Sequence, residues 1–303
     1  MRILASDGME KSAVAALRAQ GHEVVEQFYE PAELAEQVKN YDVLVVRSAT
    51  KVRVPIIDAA CETGKLKLII RGGVGIDNID HKYAEEKGIK VMNTPRASSD
   101  AVAELAVAHM LACARFVGIS NHTMREGKWE KKAYAKGIEL GGKTLGVVGY
   151  GRIGQSLGRM AQALGMKVLA YDIFHADGLE NENMKYVEMD ELLANSDFIS
   201  LHVPSLPGQP LVNAETIAKM KDGVNIINTS RGANIDENAL LAALESGKVR
   251  AAGLDVWAEE PSKNEALYNH PMVSCTPHIG ASTVEAQKRI GAEIVDIINR
   301  FFA

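Results

Sequence analysis

The segment Thr144-Leu-Gly-Val-Val-Gly-Tyr-Gly-Arg-Ile-Gly154 constrains the fold of this chain more than any other. An apolar, β-forming run meets glycines at 149, 151 and 154, and an amphipathic stretch continues to about Leu164. That pattern predicts a strand, a tight turn and a helix. Lys167–Tyr171 predicts a second strand, which delivers Asp172 at its carboxyl end. In such a βαβ unit Gly149 permits the turn, Gly151 leaves room for a pyrophosphate and Gly154 lets helix and strand pack closely. The N–H groups at the helix start, including those of Arg152 and Ile153, favour phosphate charge. Roughly 20 residues on, a carboxylate can accept hydrogen bonds from the ribose hydroxyls. Together these features predict a Rossmann domain that binds NAD. Ile173-Phe-His175 offers no arginine for a 2′-phosphate, so NADP is disfavoured.

At 303 residues the chain has room for two domains of ordinary size. Ahead of the glycine turn, Arg2–Ala5, His22–Val25, Asp42–Val46, Leu68–Arg71 and Lys90–Met92 read as strands. Glu10–Gln20, Glu33–Lys39, Pro55–Thr63 and Lys82–Lys87 read as helices between them, several closed by glycine. Alternation of this kind predicts a parallel, doubly wound sheet. A second series starts at a helix over Ser99–Arg115 and runs through strands at Asp197–Leu201, Val224–Asn228 and Ala251–Val256 to Met272–Cys275. The tail from Val284 carries a helical apolar stripe at Ile290, Ile294, Ile297, Ile298 and Phe301 but no sheet of its own, so it should return to the first domain. The expected class is α/β with two doubly wound domains: a Rossmann NAD-binding domain over residues 97–282, inserted in a flavodoxin-like substrate domain of residues 1–96 and 283–303. Two crossings then bound a cleft, the expected place for a reaction.

Composition narrows the partners. Net charge is −5, with no basic block, so nucleic acid is not expected. Cys61, Cys113 and Cys275 are odd in number and widely spaced, which argues for free thiols and against a metal site. The start lacks the apolar run of a signal peptide, and Ala101–Gly118 carries Glu104, His109 and Arg115. That stretch reads as a buried helix, so no membrane partner and a cytoplasmic setting are expected.

Three segments beyond Asp172 place polar groups where strand ends should open onto the cofactor crevice. Asn228-Thr-Ser-Arg-Gly232 presents Arg231; Leu254-Asp-Val-Trp-Ala-Glu-Glu-Pro261 presents Asp255, Glu259 and Glu260; Thr276-Pro-His-Ile-Gly280 presents His278. An arginine fork can hold a carboxylate, and a histidine can take a hydroxyl proton as hydride leaves. An acid would fix the imidazole tautomer and stabilise its charged form. Spacing alone leaves open which acid serves, or whether Glu259 and Glu260 simply cap the turn.

In this order, the Gly-Tyr-Gly-Arg-Ile-Gly, Thr-Ser-Arg-Gly, Leu-Asp-Val-Trp-Ala-Glu-Glu-Pro and Thr-Pro-His-Ile-Gly-Ala-Ser-Thr segments resemble the D-2-hydroxyacid dehydrogenase family over the whole chain. Val46–Val52, Arg71–Asp80, Met92–Pro95 and Gly127–Glu130 resemble segments of a branch of that family whose members act on a phosphorylated 2-hydroxy acid. The resemblance implies Arg231 as carboxylate binder, Glu260 as partner of the acid/base His278, and Asp255 at the nicotinamide carboxamide. Thr229 and Gly280 would also face the cofactor, and His202 and Pro204 would border the adenosine. It further implies a substrate pocket at Arg47, Ser48, Gly73, Val74, Gly75 and Asn93, with Arg47, Lys51, Arg71 and Lys131 as candidate phosphate cations. Lys131 departs from the arginine that some relatives carry, keeping the charge but losing the fork. The chain ends after the returning helix, so an added C-terminal regulatory domain is not expected. A homodimer is implied, and Trp129 and Tyr134 in the long Ile119–Leu140 stretch could anchor it or pack on their own chain. A member of the family acting on glyoxylate, hydroxypyruvate or D-lactate, which needs no phosphate site, is the alternative, and an NAD-sensing, corepressor-like binding protein a more distant one.

Overall fold

The computed structural model describes residues 1–205 and 208–303. Met1–Ser98 with Ala281–Ala303 form one unit and Ser99–Gly280 a second. The first contains β1 (Arg2–Ala5), α1 (Lys11–Ala19), β2 (Glu23–Glu26), α2 (Pro31–Gln37), β3 (Val43–Val46), α3 (Val54–Thr63), β4 (Leu68–Arg71), α4 (His81–Glu86) and β5 (Lys90–Asn93). Its strands pair in parallel in the order β2-β1-β3-β4-β5, the flavodoxin-like winding. The middle strands are apolar end to end because helices cover both faces; β3, Val-Leu-Val-Val, is wholly buried.

The second unit begins with α5 (Ser99–Arg115) and α6 (Val117–Arg125), followed by β6 (Thr144–Val148), α7 (Arg152–Ala163), β7 (Lys167–Tyr171), β8 (Met184–Tyr186) and α8 (Met189–Asn195). Then come β9 (Phe198–Leu201), α9 (Ala214–Lys219), β10 (Val224–Asn228), α10 (Glu237–Ser246), β11 (Val249–Leu254), α11 (Glu265–Tyr268) and β12 (Val273–Cys275). Seven parallel strands run β12-β11-β10-β9-β6-β7-β8. Strand order reverses between β6 and β9, and ligands bind at the carboxyl ends beside such a switch point. The closing helix α12 (Val284–Phe301) belongs to the first unit, where Ile290, Ile294, Ile297 and Ile298 are buried with Ile3, Val14, Leu17 and Ile70. It lies so close to α1 that a Cβ on Gly291 would stand 2.8 Å from that of Ala13.

Three elements differ from expectation. The stretch after Arg115 is not simply irregular: Phe116 takes a left-handed turn (φ 57°) and α6 follows at 68° to α5. Strand β11 ends at Leu254, which makes Asp255 the first residue past the strand. The three-residue edge strand β8 has too short a pattern to announce itself. Among the described residues no single helix is long and apolar enough to cross a membrane; α5 packs against α7 and β11.

Candidate active site

The dinucleotide turn lies at the switch point. Gly149 has φ +92°, and a Cβ there would meet the His202 carbonyl oxygen at 2.7 Å. A Cβ on Gly154 would stand 2.3 Å from the Gly149 carbonyl oxygen, so both glycines are demanded by close backbone packing. A Cβ on Gly151 would meet nothing within 4 Å: here the side chain is missing beside open space. Gly151 also caps α7, and no side chain caps the first N–H groups of that helix, at Arg152 and Ile153. Asp172, past the end of β7, accepts the Tyr150 N–H at 2.7 Å and the Phe174 N–H at 3.1 Å, which ties the acid to the turn.

At the neighbouring strand ends, the buried Thr229 Oγ1 and His202 Nδ1 have no hydrogen-bond partner among the described residues. Unpartnered buried polar atoms of this kind, an uncapped helix start and an open glycine cradle suit a polar dinucleotide. NAD would be held by residues 149–154, Asp172, Thr229 and His202, with the exposed Pro204 beyond. Asp172→Ala should reduce NAD-over-NADP preference by at least about tenfold, since one or two charge-assisted bonds and the repulsion of a 2′-phosphate go together. kcat/KM with each cofactor measures this, and an unchanged ratio rejects the assignment.

The His202 imidazole donates to or accepts from Ser200 Oγ at 2.8 Å, and burial lowers its pKa to about 4. An unfolded imidazole titrates near 6.5, so on acidification the unfolded chain takes up the proton first. The native state therefore loses up to about 3 kcal/mol as pH falls from about 6.5 to about 4. His202→Asn should flatten that part of a stability–pH curve measured by denaturant unfolding. A curve of unchanged slope would place the acid sensitivity elsewhere.

Three residues separated in sequence gather at the ends of β10, β11 and β12. Arg231 leaves β10 in a turn where Asn228 Nδ2 holds its carbonyl at 2.8 Å, and its guanidinium donates to the Ser230 carbonyl at 2.6 Å. His278 Nδ1 and Glu260 Oε2 are 2.8 Å apart. Partial burial raises the Glu260 carboxyl, but the His278 hydrogen bond and charge, the Trp257 N–H and the Arg231 charge outweigh it, leaving the pKa below its ordinary value. The acid is therefore ionised at neutral pH. Glu259 instead pairs with Lys263 at the surface, which resolves the choice that spacing left open.

His278 is held at φ +55°, a left-handed conformation that costs a non-glycine residue about 1–3 kcal/mol. The restraint comes from Asp255. Its carbonyl accepts the His278 N–H at 2.7 Å, Oδ1 accepts the Ile279 N–H at 2.8 Å and Oδ2 the Gly280 N–H at 2.8 Å. The Asp255 residue is 1% exposed, and its carboxylate braces the turn that carries His278.

In the first unit, Arg47 and Ser48 follow β3, and Asp7 fixes this loop by accepting the Arg47 N–H at 2.6 Å and the Thr50 N–H at 3.1 Å. The Gly73–Gly75 loop follows β4. A Cβ on Gly73 would fall on the Arg71 guanidinium, and the Thr94 N–H binds the Gly73 carbonyl at 3.1 Å. Asn93 donates to the Val74 carbonyl, so its amide braces this loop. Lys131 and Trp129 lie exposed in the second unit, in the irregular stretch after α6. Among the described residues no cluster of His, Cys, Asp or Glu could hold a metal ion.

A switch-point dinucleotide cradle with an arginine and a paired histidine at adjoining strand ends defines a nicotinamide-dependent dehydrogenase. Residues 107–280 match the family model of the D-isomer specific 2-hydroxyacid dehydrogenase NAD-binding domain. A hydroxypyruvate reductase of Thermotoga maritima is 51% identical over 303 residues, 98% of this chain and 97% of that protein. A D-3-phosphoglycerate dehydrogenase of Methanocaldococcus jannaschii is 45% identical over 99% of this chain, which spans 57% of that protein's length. The solved D-lactate dehydrogenase from Aquifex aeolicus, complexed with NAD and lactic acid, superposes with a TM-score of 0.85 at 30% identity, over 100% of this chain and 95% of that one. The chain belongs to the D-2-hydroxyacid dehydrogenase family.

Proposed function

We propose that this chain interconverts a three-carbon D-2-hydroxy acid and its 2-oxo acid. The observation that carries the reading is the Glu260–His278 pair, at 2.8 Å, beside Arg231. When bound, NAD supplies the hydride acceptor. Arg231 holds the substrate carboxylate through its fork and so orients the carbinol carbon. With Glu260 ionised, His278 donates Nδ1–H to it, leaving the Nε2 lone pair to take the hydroxyl proton; in reduction Nε2–H returns it. Glu260 stabilises the imidazolium that forms in oxidation.

The sequence reading favours a phosphorylated substrate, D-3-phosphoglycerate, whose oxidation would open serine synthesis. The 51% identical hydroxypyruvate reductase favours the same skeleton without its phosphate. Support for the phosphorylated form lies in the first unit. There Arg47 and Lys288 line a pocket of about 430 Å³ with Ser282, Thr283 and Gln287, though the Glu10 carboxylate shares its wall. The test is a substrate panel of 3-phosphoglycerate, D-glycerate, hydroxypyruvate and D-lactate. If the phosphate is bound, Arg47→Ala should impair 3-phosphoglycerate at least about tenfold more than D-glycerate, the worth of one charge-assisted hydrogen bond. Equal losses for both would favour the unphosphorylated reading and make Arg47 a residue that shapes the pocket.

A further inference from the structure

Among the buried titratable groups that the proposed reaction does not use is a histidine with both ring nitrogens engaged. His109 lies on α5 and is 2% exposed. Strand β11 makes room for it: a Cβ on Gly253 would stand 2.5 Å from the His109 Cβ. Both ring nitrogens are engaged, Nδ1 with Ser274 Oγ at 2.9 Å and Nε2 with Thr276 Oγ1 at 3.0 Å. Thr276 Oγ1 in turn donates to Asp255 Oδ1 at 2.6 Å.

Proton bookkeeping gives this chain a direction. The Thr276 hydroxyl has one proton and gives it to Asp255 Oδ1, which also accepts the Ile279 N–H. Thr276 Oγ1 can then only accept from the ring, which requires Nε2–H on His109. Nδ1 is left as an acceptor for the Ser274 hydroxyl. Burial lowers the His109 pKa, against a weaker opposing pull from Asp255, so the neutral ring with one defined tautomer is the form present. The relay ends on the carboxylate that secures Ile279 and Gly280, and on the residue whose carbonyl secures His278 in its left-handed conformation.

We propose that His109 is a positioning residue: through Thr276 it orients the Asp255 carboxylate, and so sets where His278 presents its imidazole. The kinetic part of this inference rests on the proposed dehydrogenase reading; the proton arrangement does not.

The test pairs nitrogen NMR of histidine-labelled protein with kinetics on the best acid of the panel. In the parent, the His109 ring should show the Nε2–H tautomer throughout the neutral pH range; an Nδ1–H or protonated ring overturns the relay, whatever the protein turns over. His109→Leu should lower kcat about tenfold with KM nearly unchanged, as expected when a reacting group is displaced rather than removed. Thr276→Val should do the same, and the double variant should be no slower than the slower single one, because both break one chain. A folded His109→Leu with parental kcat, or losses that multiply in the double variant, rejects the proposal. Should His109→Leu not fold, Thr276→Val alone is the second test, since it removes the acceptor that fixes Nε2–H while Ser274 stays beside Nδ1. It should mix the two tautomers and lower kcat several-fold, and a Thr276→Val protein with parental kcat and a mixed tautomer overturns the proposal. Failure of the parent to oxidise any acid would instead refute the dehydrogenase reading, with the ring tautomer still deciding the relay.

Discussion

Replacing His278 with alanine lowers turnover by on the order of 10²–10⁴, the usual contribution of a positioned acid/base, and leaves NAD affinity near the parental value. Residues 149–154 and Asp172, which would hold the cofactor, share no hydrogen bond with the His278 side chain. Stopped-flow turnover and NAD titration on the same sample separate the two effects. Near-parental turnover in His278→Ala would remove the proton-transfer role. Glu260→Gln supplies the companion measurement. The imidazolium loses its charged partner, so the histidine gives up its proton more readily and the acid limb of kcat/KM moves to lower pH. A pH profile that does not move would limit Glu260 to holding the ring.

Arg231→Ala should lower kcat/KM by about 10²–10⁴, because a bidentate carboxylate contact combines two charge-assisted hydrogen bonds of about 1.5–3 kcal/mol each. Arg231→Lys should fall between, since an ammonium keeps the charge but not the fork. Part of the loss should appear in kcat, because the same contact orients the carbinol carbon against the hydride acceptor. Steady-state kinetics with a saturating cofactor resolves the two parts. If Arg231→Ala kept its kcat/KM for every 2-hydroxy acid of the panel, another cation would have to hold the carboxylate.

Much of this was legible in the linear chain, because it is written in local chemistry. The glycine spacing of the turn at Gly149, Gly151 and Gly154 is itself a local signal, although the close packing of Gly149 is against the distant His202 carbonyl. Asp172 follows at the distance one helix and one strand impose. Arg231, Glu260 and His278 each stand just past an apolar strand, where an α/β sheet places its chemistry. The isoleucine stripe of α12 likewise announced a helix in need of a sheet, and it packs with β1 and β4 residues of the first unit.

Other features depended on contacts between distant residues. Local pattern marks His109 only as a polar residue in an apolar helix. Its role emerges once β12 brings Ser274 and Thr276 to its two nitrogens, 165 and 167 positions away. Spacing did not separate Glu260 from Glu259; the resemblance implied Glu260, and the fold sets one carboxylate against His278 and the other against Lys263. That Asp255 also anchors the histidine turn emerged only from the fold, where its carboxylate accepts two backbone N–H groups and a hydroxyl and its carbonyl accepts a third N–H. Periodicity and turn chemistry determine which elements form, since those forces act between neighbours in the chain. Which polar groups satisfy one another inside the protein is decided by packing, because a buried donor or acceptor must take the partner that the assembled sheet and helices bring to it.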